Sequence, residues 1–147
     1  MSERSYLRVR QVMSPRPCLV DGLATVREAM ELMRRNGVGS LVIRKRHEGD
    51  EYGIVVVDDI AAKVVAVNRP PDRVNVYEIM SKPVITVDAD MNAKYAVRLL
   101  TRFGLSRALV VEGDDMVGIV TQRDLVFAYV APPTGNGTRP VDGVAEG

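Results

Sequence analysis

The sequence predicts a mixed α/β (α+β) protein made of two tandem repeats, each running strand, helix, strand, strand, helix. Three observations carry this. The chain matches itself at an offset of 67 residues, bringing Val9/Val76, Met13/Met80, Ser14/Ser81, Val20/Val87, Asp21/Asp88, Ala29/Ala96, Leu32/Leu99 and Gly37/Gly104 into register. Past a charged hairpin the offset becomes 65, pairing Gly53/Gly118, Ile54/Ile119, Val55/Val120 and Asp59/Asp124. The first copy therefore has a loop two residues longer, at a place where insertions cost little. Within each copy, short apolar runs alternate with stretches of helical periodicity, as a repeated supersecondary unit requires.

Taken in order, residues 1–6 are polar and expected to be loose at their start. Residues 7–13 alternate apolar and basic side chains and run into Ser14-Pro15-Arg16-Pro17. Two prolines there predict an extended, turn-like lead rather than a helix. Residues 18–20 read as a short strand. Thr25 is an N-cap type with Glu28 three residues on, which predicts a capping box. The helix it opens presents Val26, Ala29, Met30, Leu32 and Met33 on one face and stops at Gly37. Residues 41–43 and 53–57 read as strands around a charged hairpin loop. A helix is expected from Asp59 through Ile60, Val64, Val65 and Val67 to Pro70-Pro71.

The second copy repeats this order. Residues 76–83 form the lead and 84–87 an extended run. Asn92 caps a helix whose apolar face is Ala93, Ala96, Val97, Leu99, Leu100 and Phe103, ended by Gly104. Strands follow at 108–111 and 116–120 around a tight turn, and Asp124 is expected to start the last helix. The repeats are placed at 7–69 and 74–131. The Pro- and Gly-rich tail from 132 to 147 is expected to be disordered. Each repeat alone, near 60 residues, would leave an apolar sheet face bare, so the two are expected to pack together with pseudo-two-fold symmetry.

Composition narrows the function classes. At 147 residues, 46% hydrophobic and 27% charged, the chain has the make-up of a globular protein, with a core of aliphatic residues since Trp is absent. A net charge of +1 provides no global field for nucleic acid, and the arginines at 8, 10 and 16 come without an RNA- or DNA-binding signature. One cysteine, Cys18, allows no intrachain disulfide, and no apolar run approaches the ~18 residues of a membrane span. The expectation is a cytoplasmic protein that binds neither membrane nor nucleic acid. With one histidine, His47, in a charged loop, and one cysteine, the residues form no Cys/His metal cluster and suggest no nucleophilic pair. Gly-rich phosphate loops of the P-loop and Rossmann types are absent. No metal, required cofactor or catalytic residue is expected.

The ordered motifs resemble the cystathionine-β-synthase (CBS) domain family, whose repeats pair in tandem as a Bateman module. The matching elements are the Met-Ser leads (Met13-Ser14-Pro15 and Met80-Ser81-Lys82-Pro83) and the capped helices with central Ala29 or Ala96. They continue with Gly-Ile-Val before Asp59-Ile60 and Asp124-Leu125. The match covers residues 7–130. It implies β-α-β-β-α repeats and homodimerisation through exposed helix faces. It also implies a cleft between the repeats for an adenine nucleotide, AMP above all, with ADP, ATP and S-adenosylmethionine as alternatives.

On this resemblance Thr121-x-x-Asp124 matches the family's ribose-binding motif. The Asp124 carboxylate can accept from two vicinal hydroxyls, and Thr121 adds a hydroxyl. Asp124 is equally a good N-cap residue, and both readings stand. Ser106 and Arg107 stand where the family has phosphate-reaching groups, and Arg123 is a second guanidinium suited to phosphate. Both arginines also read as solvated surface residues. Val84, Ile85 and Ala108 are the expected adenine walls, or plain core. A second, weaker site is placed at Cys18, Leu19, Gly39, Ser40, Leu41, Asp58 and Asp59. There Val56 replaces the motif Thr, Asp58 stands where Arg123 does, and Gly39-Ser40 replaces Ser106-Arg107. The expected function is a non-enzymatic sensor of energy state acting on an unknown regulated protein, with occupancy favouring the Asp124 corner. The alternative is a constitutive homodimerisation scaffold with a vestigial cleft.

Overall fold

The computed structural model describes residues 6–82 and 84–133. The loose start expected for residues 1–5, Pro83 of the second lead, and the tail beyond 133 lie outside the described residues.

The helix signals are local and the structure realises them. Thr25 caps α1 (Val26–Asn36): its hydroxyl oxygen accepts from the Glu28 N–H at 3.1 Å, and the Thr25 N–H donates to Glu28 Oε1 at 2.9 Å. Such a cap stabilises a helix by about 1 kcal/mol. Gly37 ends α1 at φ 65°, a left-handed conformation that costs glycine nothing. In the second copy Asn92 caps α3 (Ala93–Phe103) by accepting from the Lys94 N–H, and Gly104 ends it at the same φ. Val26, Ala29 and Met33 of α1 and Ala93, Ala96 and Leu100 of α3 are buried. Phe103, expected on the buried face, is 55% exposed: it is the last residue of α3, just before Gly104 turns the chain.

The strands are β1 (Ser14–Pro15), β2 (Leu19–Val20), β3 (Ser40–Ile43), β4 (Gly53–Val56), β5 (Thr86–Asp88), β6 (Arg107–Glu112) and β7 (Asp115–Thr121). In the first copy β2 lies parallel to β3, and β3 antiparallel to β4. In the second, β5 lies parallel to β6 and β6 antiparallel to β7, with β1 added antiparallel at the β7 edge. The parallel pairs are joined through α1 and α3, as parallel strands must be joined by a crossover. The closing helices are α2 (Val57–Ile60), continued by a π-helical stretch Ala61–Val65, and α4 (Gln122–Phe127). Both begin two residues before the aspartates expected to start them. Of the apolar residues assigned to the first of these helices, Ile60 and Val64 are buried, but Val65 and Val67 are each 57% exposed.

The described residues divide into two compact units, Cys18–Val84 and the combination of residues 6–17 with 85–133. Each unit therefore contains the lead segment of the other sequence repeat. In the unit holding β5–β7, the Val9 N–H donates to Met91 O, the Arg10 N–H to Ala89 O, and the Ala93 N–H to Leu7 O. In the Cys18–Val84 unit the matching bonds run from Val76 to Ala24 O, Tyr77 to Gly22 O, and Val26 to Val74 O. The leads are not purely extended, since Val9–Gln11 and Val76–Glu78 each form one 3-10 turn. Ser14 then pairs with Ile119 in the sheet, and Ser81 bridges Ile54. The cores record the same exchange: Val9 and Val12 belong to the cluster with Leu100 and Leu125, and Val74, Val76 and Ile79 to the cluster with Leu41 and Val55.

Candidate functional site

β6 and β7 end in register, Arg107 opposite Thr121 and Ala108 opposite Val120. The chain then turns into α4, and the Gln122 N–H donates back to Ser106 O at 2.8 Å. On the other side of β6 the Leu109 N–H donates to Ile85 O at 3.0 Å, just ahead of β5. One end of this sheet thus gathers Ile85, Ser106, Arg107, Ala108, Thr121, Arg123 and Asp124. Val84 is half-buried and is the last residue of the Cys18–Val84 unit.

The polar groups here have defined roles. Thr121, not Asp124, is the N-cap of α4: its hydroxyl oxygen accepts from the Asp124 N–H at 3.0 Å. Asp124 occupies the third helical position, half-buried. The Thr121 hydroxyl keeps a proton to donate after accepting that bond. Arg107 is half-buried with Nε 3.4 Å from Ser106 Oγ. Arg123 is exposed, and its guanidinium lies 5.3 Å from the centroid of the Phe127 ring one turn on. Ala108 is buried among core residues, while Ile85 packs against the same core half-buried. Chemically, this corner offers a carboxylate, a hydroxyl and guanidinium groups beside apolar surface. Gln122 was not singled out in the sequence. It is half-buried between Thr121 and Arg123, with its amide donating to Thr101 Oγ1 at 3.2 Å. Its only sequence signal was a polar residue where the first copy has Val57.

The Cys18–Val84 unit brings its own candidates together in the same way. Ser40 pairs with Val56, the Val57 N–H donates to Gly39 O at 3.1 Å, and the Val42 N–H donates to Cys18 O at 2.9 Å, beside Leu19. Leu41 is fully buried and Ser40 nearly so. The chemistry differs from the other corner. Val56 occupies the cap position of α2 and contributes no side-chain hydrogen bond. The Asp59 carboxylate lies 3.8 Å from Lys63 Nζ, one turn on, and Lys63 also donates to Ile79 O. Asp58 is exposed on the first turn of α2.

Two corners of matching backbone each follow a Gly-Ile-Val strand, and the CBS domain pattern matches the chain twice, over residues 9–66 and 76–131. The chain belongs to the CBS domain family. An uncharacterized protein of Methanopyrus kandleri is 42% identical over 96 residues, 64% of this chain and 48% of that protein. The chain spans about half the length of that relative, and 32% of the next, from Methanocaldococcus jannaschii. Among solved structures, a hexameric CBS-CP12 protein from bloom-forming cyanobacteria superposes with a TM-score of 0.81 at 34% identity, over 88% of this chain and 73% of that one. The CBS domain pair of protein MJ0100, solved in complex with 5'-methylthioadenosine and S-adenosyl-L-methionine, gives 0.73 at 26% identity, over 86% of this chain and 98% of that one. No helix among the described residues is long and apolar enough to cross a membrane.

Proposed function

We propose that this CBS pair is a non-catalytic regulatory module that binds an adenosine ligand, AMP in the first place, at the Thr121–Asp124 corner. The observation that carries this reading is the grouping of Arg107, Thr121 and Asp124 at one sheet end, in the turn that the Thr121 hydroxyl caps. Asp124 accepts from the ribose hydroxyls, the Thr121 proton supplies a further hydrogen bond, and Arg107, with Arg123, meets the phosphate. Val84, Ile85 and Ala108 form the apolar wall for adenine. The Cys18–Val84 corner is the weaker site, because Val56 lacks the hydroxyl and Asp58 stands where Arg123 does. Ligand binding then regulates a partner protein by favouring one conformation of the chain.

The nucleoside-bound neighbour favours a second reading, in which the ligand is S-adenosylmethionine or its thioether product. A guanidinium at Arg107 argues for phosphate, so the two readings separate experimentally. In a thermal-shift panel of AMP, ADP, ATP, S-adenosylmethionine and methylthioadenosine, a ligand at 100 times its Kd stabilises by about 2.7 kcal/mol. AMP is expected to give the largest rise. Asp124→Ala should abolish most of it and Asp59→Ala little. Equal losses from both variants would overturn the asymmetry, and no rise with any compound would favour the scaffold reading.

A further inference from the structure

The outer face of α3 is a cationic stripe. Lys94, Arg98 and Arg102 follow one another at four-residue spacing, and all three are exposed. At 1.5 Å per residue they run roughly 12 Å along the helix, one per turn. They lie on the side opposite the buried Ala93, Ala96 and Leu100. α3 contains no Asp or Glu, and among the described residues none of the three cations is in an ion pair. Lys94 Nζ and the Arg98 guanidinium lie 5.6 and 5.3 Å from the centroid of the Tyr95 ring, itself 51% exposed, so one aromatic surface gathers two of the cations. The matching helix of the first copy neutralises itself. Arg27, Glu28, Glu31 and Arg35 stand at the places of Lys94, Tyr95, Arg98 and Arg102. There Arg27 pairs with Glu31 and Asp72, and Glu28 completes the capping box. In α3 the acids are gone, a lysine sits in the first turn against the helix dipole, and like charges neighbour one another twice at i,i+4. Both arrangements disfavour a helix on its own, and a partner of opposite charge relieves both. The stripe also borders the candidate site, since Thr101 of α3 accepts from the Gln122 amide at the start of α4.

We propose that this face docks an acidic helical segment of a partner protein, its carboxylates one turn apart and set against Lys94, Arg98 and Arg102. A helix reproduces the pitch of the stripe, about 5.4 Å per turn. The guanidinium forks of Arg98 and Arg102 suit carboxylates bidentately, and the Tyr95 ring offers apolar surface to the stems of the partner's side chains. Nucleic acid fits less well. The net charge is +1, and the same compact unit carries Asp88, Asp90, Asp114 and Asp115, so no broad positive field surrounds the helix. A bilayer surface needs apolar side chains to insert beside the cations, and within α3 only the Tyr95 ring flanks the stripe. The proposal rests on α3 and not on the nucleotide reading, so either can fail alone.

The test is a titration of the full chain, without nucleotide and at low ionic strength, followed by amide NMR shifts. The probe is an alanine-rich helical peptide with three glutamates four residues apart. A control peptide has the same composition with its glutamates spread around the helix. The striped peptide is expected to shift the α3 amides, to bind more tightly than the control, and to weaken as salt is added. Arg98→Glu should weaken it about tenfold, by losing one ion pair and opposing a carboxylate. The same variant should melt at or above the wild-type temperature, because the new carboxylate relieves the like charges on either side of it. A residue needed only for the fold would lower binding and melting together. Arg35→Glu, at the place on α1 that corresponds to Arg102, should leave binding unchanged, which separates the stripe from net charge. The proposal is overturned if the two peptides bind alike or if Arg98→Glu binds like wild type. It is overturned equally if a short oligothymidylate or phosphatidylserine vesicles saturate the same amides at lower concentration than the peptide, since the stripe would then belong to a nucleic acid or a lipid surface.

Discussion

At the scale of single residues, two glycines and a threonine explain why the repeat motif has its particular letters. A Cβ on Gly118 would sit 2.6 Å from Met13 Sδ and 2.8 Å from the Ser14 carbonyl oxygen. At Gly53 it would sit 2.7 Å from Met80 Sδ and 3.3 Å from the Ser81 oxygen. The Met-Ser lead and the Gly-Ile-Val strand, separate signals in the sequence, are thus one packing device. Met13 lies over Gly118 while the backbone of Ser14 pairs with β7. Gly118→Ala meets backbone as well as sulfur, so it should destabilise by about 1–3 kcal/mol, the range for overpacking a filled site. Gly53→Ala should cost less, because the Ser81 oxygen stands 3.3 Å off rather than 2.8 Å and the closer atom belongs to a flexible methionine side chain; chemical denaturation of both variants checks the order. Thr121→Val copies the chemistry of Val56. Losing the cap should cost about 1 kcal/mol and should also weaken AMP binding, whereas Val56→Thr should stabilise by adding a cap.

At the scale of elements, the clearest device is the hairpin between β3 and β4. The Asp50 side chain is only 7% exposed and lies 2.6 Å from Lys82 Nζ in the second lead. It also accepts from the Arg46 N–H at 2.8 Å and from Arg46 Nε at 3.3 Å. The Lys82 ammonium first, then backbone N–H groups of Arg46 and Glu51, hold this carboxyl well below the usual carboxylate range, against the opposing effect of burial. Glu78 is lowered too, chiefly by the Asn75 N–H and less by Arg69. A carboxyl depressed on folding contributes stability that is complete above its unfolded value, about 3.9 for Asp, and is lost as pH falls towards the folded value. Stability should therefore fall steeply below about pH 4. Lys82→Met should lower stability at neutral pH and flatten that acid limb, as urea titrations across the pH range would show. A variant with an unchanged acid limb would mean the pair contributes nothing. The cap at Thr25 and the stops at Gly37 and Gly104 were legible in the sequence because each depends on neighbours within one turn. The starts of α2 and α4 were misplaced by two residues because aspartate favours both the cap and the first turn, and only backbone geometry separates them. Thr121, Arg123, Asp124, Asp58 and Asp59 stand at the two strand-to-helix turns that the repeat makes legible. Gln122 escaped because its partners, Ser106 and Thr101, are distant in sequence.

At the scale of the whole molecule, the sequence repeat and the compact unit are offset by one lead segment, which no periodicity could reveal. An alternating run such as Leu7-Arg8-Val9-Arg10 states that one side is buried, but not which sheet buries it. The structure answers that Val9 and Val12 complete the core of the second copy, and that Arg10 anchors there through Asp90 and, at 2.6 Å, Glu112. A fragment cut at the repeat boundary, residues 74–133, would lack both valines, the edge strand β1 and the cover over Gly118, while keeping Val74, Val76 and Ile79 with no core to enter. Near 60 residues a domain is already marginal, and each fully buried Val removed forfeits roughly 1.5–3 kcal/mol of burial. That loss is comparable with the whole stability of a small domain, about 5–15 kcal/mol. The fragment 74–133 is therefore expected to show no cooperative melt. A single chain joining residues 6–17 to 85–133 through a flexible linker should melt cooperatively, because it restores the compact unit rather than the repeat. If the repeat-bounded fragment folds as well as the joined chain, the lead contributes only surface contacts. Circular dichroism melts of the two fragments, side by side, decide between these outcomes.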